Sequence, residues 1–335
     1  MAERIRMIVV GASRGLGHLQ SFIDLPERFE VVGLVDLDAD RLGAGLELFE
    51  LPANLGYTSY DEALANAGCD GVMIATWAQT HGELVEQALH AGKHVLVEKP
   101  LAVDLEVAQH LVDSAAKRGL KIAVVQQRRY MPGQRTMRRL LSAGTYGEPQ
   151  TGHVLTYKAR RGEYPDSPYS QLWQMTVHEV DSLIAMMNQP VVEVYGYPYR
   201  PPATTWKRES TVTAELKFRN GCRMVMVSTS EARTASFEFR AECERAALVY
   251  RGVGGFGRDE ELYAGEDRES GLQPIPIDPD QDPSPLDRQV AASFAAWVCG
   301  GPEPETSGPN NLQVLSVLDG IIRSGETGVP VKLAV

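Results

Sequence analysis

The sequence predicts an α/β fold in two parts: an N-terminal doubly wound parallel sheet, and then an α/β domain whose sheet is largely antiparallel. The first part is predicted by short apolar runs that alternate with amphipathic helical segments, since strands buried on both faces carry unbroken apolar runs. The second part is predicted by consecutive strand-like segments with few helices between them. We place the boundary so that the domains cover residues 1–126 and 127–335.

The composition is that of a globular protein without a polyanionic partner. The chain has 335 residues, a length typical of about two domains. Its net charge of −11, without any basic run, predicts that it binds neither nucleic acid nor an anionic membrane. The four cysteines are scattered without a C-x-x-C pair, which indicates free thiols in a reducing compartment. A strand follows the N-terminus directly and leaves no room for a signal peptide, so we expect a cytoplasmic protein.

Strands and helices alternate through the first domain as a doubly wound sheet requires. The predicted elements are the strands Arg4–Val10, Glu30–Val35, Val72–Ala75, Val95–Val97 and Lys121–Gln126, the helices Leu16–Leu25, Asp38–Phe49, Thr80–Ala91 and Asp104–Arg118, and a strand end with a helix in Tyr57–Ala67. Ligands of such a sheet bind beyond the carboxyl ends of its strands. The motif Glu98-Lys99-Pro100 directly follows a buried strand and therefore lies where chemistry is expected.

The pattern changes near Gln127. The predicted elements are the strands Gln150–Lys158, Val191–Tyr197, Ser210–Phe218, Arg223–Ser230, Ser236–Ala241 and Ala246–Tyr250, the helices Met137–Ala143, Thr176–Met187, Asp287–Cys299 and Asn310–Ser324, a loop at Gly252–Gly257 and an extended segment at Ile275–Pro285. An antiparallel sheet of this kind leaves one broad face without helices. We therefore expect a homodimer or homotetramer.

A glycine-rich turn, Gly11-Ala-Ser-Arg-Gly-Leu-Gly17, joins the first strand to the first helix. Glycines let a backbone approach a pyrophosphate, and a helix N-terminus favours an anion, so the turn favours a dinucleotide site of the Rossmann type over a plain tight turn. It departs from G-x-G-x-x-G, because Ser13 and Leu16 stand in the places of the second and third glycines.

Two residues near this turn bear on the choice of cofactor. Asp36 ends the second strand, where an acid can bind the adenosine ribose hydroxyls; the alternative is a cap of the following helix. An acid there disfavours a 2′-phosphate and so favours NAD, whereas Arg14 could bind that phosphate and leaves NADP open. The turn also resembles that of short-chain dehydrogenases, but no tyrosine here has a lysine four residues on, and the second half is too rich in strands for that family.

The chain resembles the Gfo/Idh/MocA family of NAD(P)-dependent oxidoreductases over nearly its whole length. The resemblance is carried by Asp70–Thr76, His81, Ala88–Pro100, Gln127–Tyr130, Gln174–Asp181, Thr306–Leu312 and Ser324–Val331. It implies a Rossmann domain followed by an α/β domain, and the oxidation or reduction of one carbinol of a sugar, cyclitol or related molecule. It also implies that Lys99 lies near the nicotinamide and the reacting hydroxyl, and that a cis peptide precedes Pro100.

Two side chains are candidates for the chemistry. Hydride transfer from a secondary alcohol needs a base for the hydroxyl proton and a cation near the developing alkoxide. By the resemblance, Lys99 supplies the cation and His178 the base; the alternatives are a lysine paired to Glu98 and a structural histidine. Gln174 stands where the family usually has Asp, and an amide cannot offset a positive charge. Asp181 on the same helix face either supplies that carboxylate or only stabilises the helix.

The remaining candidates contact the cofactor or the substrate. We assign the cofactor site to Gly11, Ser13, Arg14, Gly15, Leu16, Asp36, Thr76, Trp77, His81, Glu98 and Lys99, and the substrate site to Lys99, Arg128, Tyr157, Trp173, Gln174, His178 and Asp181. Trp77 either walls the pocket or belongs to the core. The alternatives to a binding role are a solvated pair for Arg128 and Arg129 beside Tyr130, and plain exposure for Arg160, Arg161, Tyr164, Tyr169 and Trp173. No histidine, cysteine or acidic cluster has metal-ligand spacing.

The sequence therefore predicts an NAD-dependent oxidoreductase of a sugar-like small molecule. Two alternatives stay open. Gln174 motivates a non-catalytic, dinucleotide-binding regulatory protein, although Lys99 and His178 are both present. The second alternative is a lyase or hydrolase that uses tightly bound NAD for a transient oxidation. Such an enzyme would keep its cofactor through purification and turn over without producing NADH.

Overall fold

The computed structural model describes residues 4–160, 162, 167–253, 258–279 and 282–334. The chain forms two compact units, one from Met1–Gln127 with Asp282–Leu312 and one from Arg128–Gln281 with Gln313–Val335. The expectations for Arg161 and Tyr164, and for parts of the loop Gly252–Gly257 and the extended segment Ile275–Pro285, fall on residues outside the described ranges.

A six-stranded parallel sheet forms the centre of the first unit. Its strands are β1 (Ile5–Val10), β2 (Phe29–Val35), β3 (Gly56–Tyr57), β4 (Gly71–Ile74), β5 (His94–Glu98) and β6 (Ile122–Val125), and they lie in the order β3-β2-β1-β4-β5-β6. All neighbouring pairs are parallel. Every residue of β4 and β6 is buried, as expected of parallel strands covered on both faces. The predicted doubly wound sheet is confirmed.

The described helices are α1 (Gly15–Ile23), α2 (Ala39–Leu48), α3 (Tyr60–Asn66), α4 (Ala78–His90), α5 (Leu105–Arg118), α6 (Pro132–Ser142), α7 (Val177–Met187), α8 (Leu286–Val298) and α9 (Gly308–Thr327). Helices α1 to α5 follow the strands of the first sheet, and α8 packs on α1 although it comes late in the chain. None of the helices in the described ranges is both long enough and apolar enough to cross a membrane.

The ends of α5 show why a helix forms at this position. The side chain of Asp104 accepts a hydrogen bond from the backbone N–H of Val107 at 2.9 Å, which satisfies a donor of the first turn. After the last turn, Gly119 adopts a left-handed conformation with φ of 70°, and its N–H bonds the carbonyls of Ala115 and Ala116. Glycine adopts this conformation without steric cost, so the predicted end of the helix at Arg118 is confirmed.

A nine-stranded sheet forms the second unit. Its strands are β7 (Pro149–Ala159), β8 (Val191–Tyr199), β9 (Thr211–Phe218), β10 (Arg223–Thr229), β11 (Glu231–Cys243), β12 (Ala247–Val253), β13 (Arg258–Gly265), β14 (Gln273–Pro274) and β15 (Val331–Lys332), in the order β14-β13-β12-β11-β7-β10-β9-β8-β15. The pairs are antiparallel except β7 with β10, which is parallel. The predicted, largely antiparallel sheet is confirmed, while β13, β14 and β15 were not predicted.

The two faces of this sheet differ. On β10, Met224 and Met226 are buried, whereas Val225 between them is 48% exposed. On β7, the Nζ atom of Lys158 contacts Glu179 of α7 at 3.0 Å, so the neighbouring Tyr157 points to the opposite face. One face is therefore packed beneath helices, and the other carries exposed side chains.

Candidate functional site

The first unit gathers its candidate residues at the point where the order of the strands reverses, between β1 and β4. Val10 at the end of β1 pairs in register with Val35 at the end of β2 and with Ile74 at the end of β4. The segments that follow these strands therefore leave the sheet at the same edge. Such an edge is where ligands of doubly wound sheets bind.

The glycine turn is built for a close approach of the backbone. Gly11 has a φ of +102°, and a Cβ atom there would lie 2.7 Å from the carbonyl oxygen of Ala75. A Cβ atom on Gly15 would lie 2.9 Å from Cγ1 of Val9, so this glycine permits the close packing of α1 on β1. In G-x-G-x-x-G the third glycine usually permits this packing. Here Leu16 stands in the place of the third glycine and is half-buried. Ser13 is exposed, so its side chain does not fill the turn. The turn therefore fits a dinucleotide.

Asp36 holds a buried carboxylate at the end of β2. Its Oδ2 atom accepts the backbone N–H of Ala12 at 2.8 Å, and its Oδ1 atom accepts that of Asp38 at 2.9 Å. Asp38, not Asp36, caps α2, because its side chain accepts the N–H groups of Asp40 and Arg41. The helix-cap alternative for Asp36 is therefore wrong. Nη1 of Arg41 lies 3.2 and 3.3 Å from the two oxygens of Asp36, a contact that the sequence did not indicate.

Arg14 and Glu98 form an ion-pair cluster beside the turn. Nε of Arg14 donates to Oε1 of Glu98 at 2.7 Å, and its Nη2 donates to Asp287 of α8 at 2.7 Å. His18 contacts the same Glu98 oxygen through Nε2 at 2.9 Å. Burial alone would raise the pKa of Glu98, but the hydrogen bond from His18 and the charges of His18, Arg14 and Lys99 hold it well below its usual range. Glu98 is therefore a carboxylate at neutral pH, and the guanidinium of Arg14 binds acids of its own unit.

The motif Glu98-Lys99-Pro100 is tied to the segment after β4. The Lys99–Pro100 peptide is cis, as the resemblance implies, and Lys99 donates its backbone N–H to Oε2 of Glu98 at 3.3 Å. The buried His81 lies between the two segments, with Nδ1 2.7 Å from the carbonyl oxygen of Pro100 and Nε2 3.2 Å from that of Thr76. Burial lowers the pKa of His81. A neutral imidazole has a single N–H, so it donates to one of these two carbonyl oxygens and packs against the other.

Trp77, which follows Thr76, is 65% exposed. The alternative that this ring belongs to the core is therefore wrong. An exposed indole at the edge where the strands end remains able to wall a ligand, as the sequence suggested.

In the second unit, His178 lies on α7, which is buried along its whole length. A π-helical turn, Leu172–Thr176, precedes it and contains Trp173 and Gln174, and the N–H of Val177 bonds the carbonyl of Leu172 five residues back. In an α-helix, a side chain four residues on is rotated about 40° past a full turn. The wider π turn changes the angular offset between Gln174 and His178 from the one that α-helical spacing predicts.

A polar cluster that the sequence did not indicate anchors this π turn. Glu209 accepts the backbone N–H of Gln171 at 2.8 Å, and the side chain of Gln171 accepts a hydrogen bond from Ser230 at 2.7 Å. Thr176 at the other end of the turn donates to Ser228 at 3.2 Å. Burial raises the pKa of Glu209. The cluster connects the turn to the strand β10 and to the segment before β9.

Buried ion pairs surround α7. Nη1 of Arg128 donates to Glu179 at 2.8 Å, Lys158 donates to the same carboxylate at 3.0 Å, and Nη2 of Arg129 lies 2.7 Å from Asp181. Burial alone would raise the pKa of Glu179, but the charges of Lys158 and Arg128 hold it below its usual range. Both arginines are buried, so the alternative of a solvated arginine pair is wrong.

The predicted site residues are divided between the two units. The group of the first unit holds Gly11, Ser13, Arg14, Gly15, Leu16, Asp36, Thr76, Trp77, His81, Glu98 and Lys99, and that of the second holds Arg128, Trp173, Gln174, His178 and Asp181. Tyr157 stands apart, because it points to the face of β7 opposite to α7. Nε of Arg160 donates to the carbonyl of Gly162, and the hydroxyl of Tyr169 donates to Glu326.

No group of three or more histidine, cysteine or acidic side chains in the described part of the chain is arranged to hold a metal ion. The donors gathered at the first sheet are instead those that bind a dinucleotide: a glycine turn, a carboxylate after β2 and polar residues after β4 and β5.

Two family models match the chain. Residues 5–126 match a model described as an oxidoreductase family with an NAD-binding Rossmann fold, and residues 134–249 match the GFO/IDH/MocA C-terminal domain. The 1,5-anhydro-D-fructose reductase of Ensifer adhaerens is 25% identical over 96% of this chain and 92% of its own length. Inositol 2-dehydrogenase 3 of Saccharopolyspora erythraea is 30% identical over 56% of this chain and 55% of its own.

A solved structure has the same fold. The WlbA dehydrogenase of Bordetella pertussis, in complex with NADH and UDP-GlcNAcA, superposes with a TM-score of 0.84, over 99% of this chain and all of the other, at 23% identity. The likeness extends over both units, as do the two family models. The chain belongs to the Gfo/Idh/MocA family of NAD(P)-dependent oxidoreductases.

Proposed function

We propose that the chain transfers a hydride between NAD(H) and a secondary alcohol or ketone of a sugar, cyclitol or similar small polyol. The observation that carries the proposal is the edge of the first sheet, where the glycine turn, the carboxylate of Asp36 and Lys99 follow the carboxyl ends of β1, β2 and β5. The names of the relatives, an inositol dehydrogenase and an anhydrofructose reductase, support a polyol as the substrate.

The residues divide the work as follows. Bound NAD would supply the hydride acceptor or donor. Lys99 stabilises the developing alkoxide during oxidation, since a positioned cation is most effective where charge develops in the transition state. His178 accepts the hydroxyl proton. Gln174, one turn before His178, orients either Lys99 or His178 by a hydrogen bond. The carboxylate of Glu98 fixes the backbone of Lys99 through the N–H that it accepts.

The substrate class is tested with an absorbance screen. Sugars, cyclitols and their keto forms are offered with NAD, NADP and the reduced cofactors, and the NADH band is followed. We expect turnover with at least one polyol or ketone. Turnover without any change in the NADH band would indicate transient oxidation by a retained cofactor. Dinucleotide binding without turnover of any compound would favour a regulatory protein.

The catalytic pair is tested by substitution. Removing a positioned base or cation typically costs about a hundredfold or more in rate. Lys99→Ala and His178→Ala should each lower kcat by that order while NADH still binds, and the double variant should be little worse, because groups that act as a unit are not additive. Gln174→Asp, which restores the family's usual carboxylate, should preserve or raise kcat.

Two matched variants control this experiment. Lys117→Ala and His110→Ala remove the same residue types from the exposed surface of α5 and should leave kcat unchanged. If His178→Ala kept near-normal turnover, the assignment of the base would be wrong, and Lys99 would be the remaining candidate.

A further inference from the structure

We propose that Arg41 weakens the preference for NAD, by letting the site accept the 2′-phosphate of NADP although Asp36 is present. The inference rests on the proposed dinucleotide site of the first unit and does not depend on which substrate reacts. Asp36 alone predicts a strong preference for NAD, because its carboxylate repels a phosphate. The guanidinium of Arg41 changes that balance.

Arg41 lies in the first turn of α2 and reaches back to the end of β2. Its Nη1 atom lies 3.2 and 3.3 Å from the two oxygens of Asp36, and its Nη2 atom lies 2.9 Å from Oδ2 of Asp38. The guanidinium therefore faces the carboxylate that is placed to bind the adenosine ribose. Its charge offsets the repulsion that a phosphate at this place would meet.

The two contacts of Arg41 differ in tightness. Charge-assisted N–H···O bonds are typically about 2.7–2.9 Å long, so the contact with Asp38 is tight and that with Asp36 is loose. The side chain of Arg41 is 50% exposed, whereas that of Asp36 is 7% exposed. The arginine can therefore leave Asp36 to the ribose hydroxyls of NAD, or turn its planar fork to the 2′-phosphate of NADP.

Arg14 is not available for the same role in this arrangement. Its guanidinium binds Glu98 and Asp287, each at 2.7 Å, within the same unit. Asp38 and Asp40 add negative charge near Arg41, so NAD remains the preferred cofactor and Arg41 narrows the preference. The expected result is a protein that binds both cofactors, with NADH somewhat tighter than NADPH.

Fluorescence titrations of NADH and NADPH test the inference without any substrate. Hydrogen bonds to charged groups are stronger than those between neutral groups, so Arg41→Ala should raise the Kd for NADPH about tenfold or more. The Kd for NADH should stay the same or fall, because Asp36 loses a competitor. Arg41→Lys should lie between, since it keeps the charge but not the fork.

Matched controls and a second probe complete the test. Arg118→Ala removes an exposed arginine from α5 and should change neither Kd. Adenosine 2′,5′-bisphosphate, which carries the 2′-phosphate without the nicotinamide, should displace NADH from the wild type and much less from Arg41→Ala. If the ratio of the two Kd values in Arg41→Ala equals that of the wild type, including the case in which both Kd values rise by the same factor, the inference is overturned. Because every readout is binding, a failure of the proposed reaction would leave it standing.

Discussion

At the scale of single residues, Arg14 contributes, after His18, to the low pKa of Glu98. The depressed pKa of Glu98 in the fold means that its ionisation stabilises the fold above the unfolded carboxyl pKa of about 4, and that this contribution is lost as the pH falls. Arg14→Met keeps the stem but removes one cation, so the pKa of Glu98 rises. The midpoint of acid unfolding should then move to higher pH.

Circular dichroism during an acid titration measures this midpoint. Arg118→Met on the exposed face of α5 is the matched control and should leave the midpoint in place. An equal midpoint for Arg14→Met and the wild type would contradict the stabilising role of the Arg14–Glu98 pair. The shift, where it occurs, arises in the first unit alone, because His18, Glu98 and Asp287 all belong to it.

The positions of residues that follow the strands could be predicted from the sequence. The side chains that contact the strand ends could not. Gly11, Asp36 and Lys99 each follow a recognisable apolar run, so their common edge could be predicted from the rules of parallel sheets. The contacts of His18 with Glu98 and of Arg41 with Asp36 join a helix to a strand end. Helical spacing shows which side chains share a face, but not which strand end that face meets.

At the scale of elements, the helix α7 is held to the sheet by the carboxylate of Glu179. Arg128 and Lys158 both donate to it, and Glu179 is wholly buried. Removing one partner of a buried pair leaves an uncompensated charge, which costs about 3–5 kcal/mol. Glu179→Gln should therefore lower the free energy of unfolding by about that amount, measured in urea.

The matched control for this change is Glu30→Gln on β2. Glu30 pairs with Arg4 at 3.0 Å, both side chains are about half exposed, and exposed pairs contribute about 0–1 kcal/mol. A loss of similar size in both variants would show that the buried pairs around α7 do not hold it. A loss confined to Glu179→Gln would support them.

The π turn before α7 illustrates what the sequence could not supply at this scale. The helix Thr176–Met187 was predicted nearly to its observed bounds, because its apolar pattern is local. The turn Leu172–Thr176 depends on Glu209, Ser228 and Ser230, which lie more than thirty residues on. The short edge strands β14 and β15, of two residues each, are likewise too short to show alternation.

At the scale of the whole molecule, the packing of α8 on α1 could not be predicted from the order of the elements along the chain. The pattern of α8 shows that one of its faces must be covered, and the structure places that face on α1, near the other end of the chain. Arg288 of α8 is also paired with Asp24, directly after α1. The sequence indicates neither contact, because an amphipathic pattern shows that a helix face is covered but not which element covers it.

The open face of the second sheet leads to the last prediction, a homo-oligomer. Tyr195 and Val225 are 44% and 48% exposed on this face, and both lie in register with Glu215 on the strand between them. Sheet faces without helices are commonly buried between subunits. Analytical ultracentrifugation at micromolar concentration should therefore give the mass of a dimer or tetramer.

A charge in the middle of this face should break the assembly. Val225→Lys places an ammonium where an apolar side chain would be buried. Desolvating this charge is costly even opposite Glu215, which already pairs with Arg223. The variant should sediment as a smaller species while keeping its fold. Val107→Lys is the matched control, since Val107 is 42% exposed on α5 of the first unit, and it should leave the mass unchanged. A wild-type protein with the mass of a single chain would rule out the assembly, and a Val225→Lys protein with the wild-type mass would exclude this face as the interface.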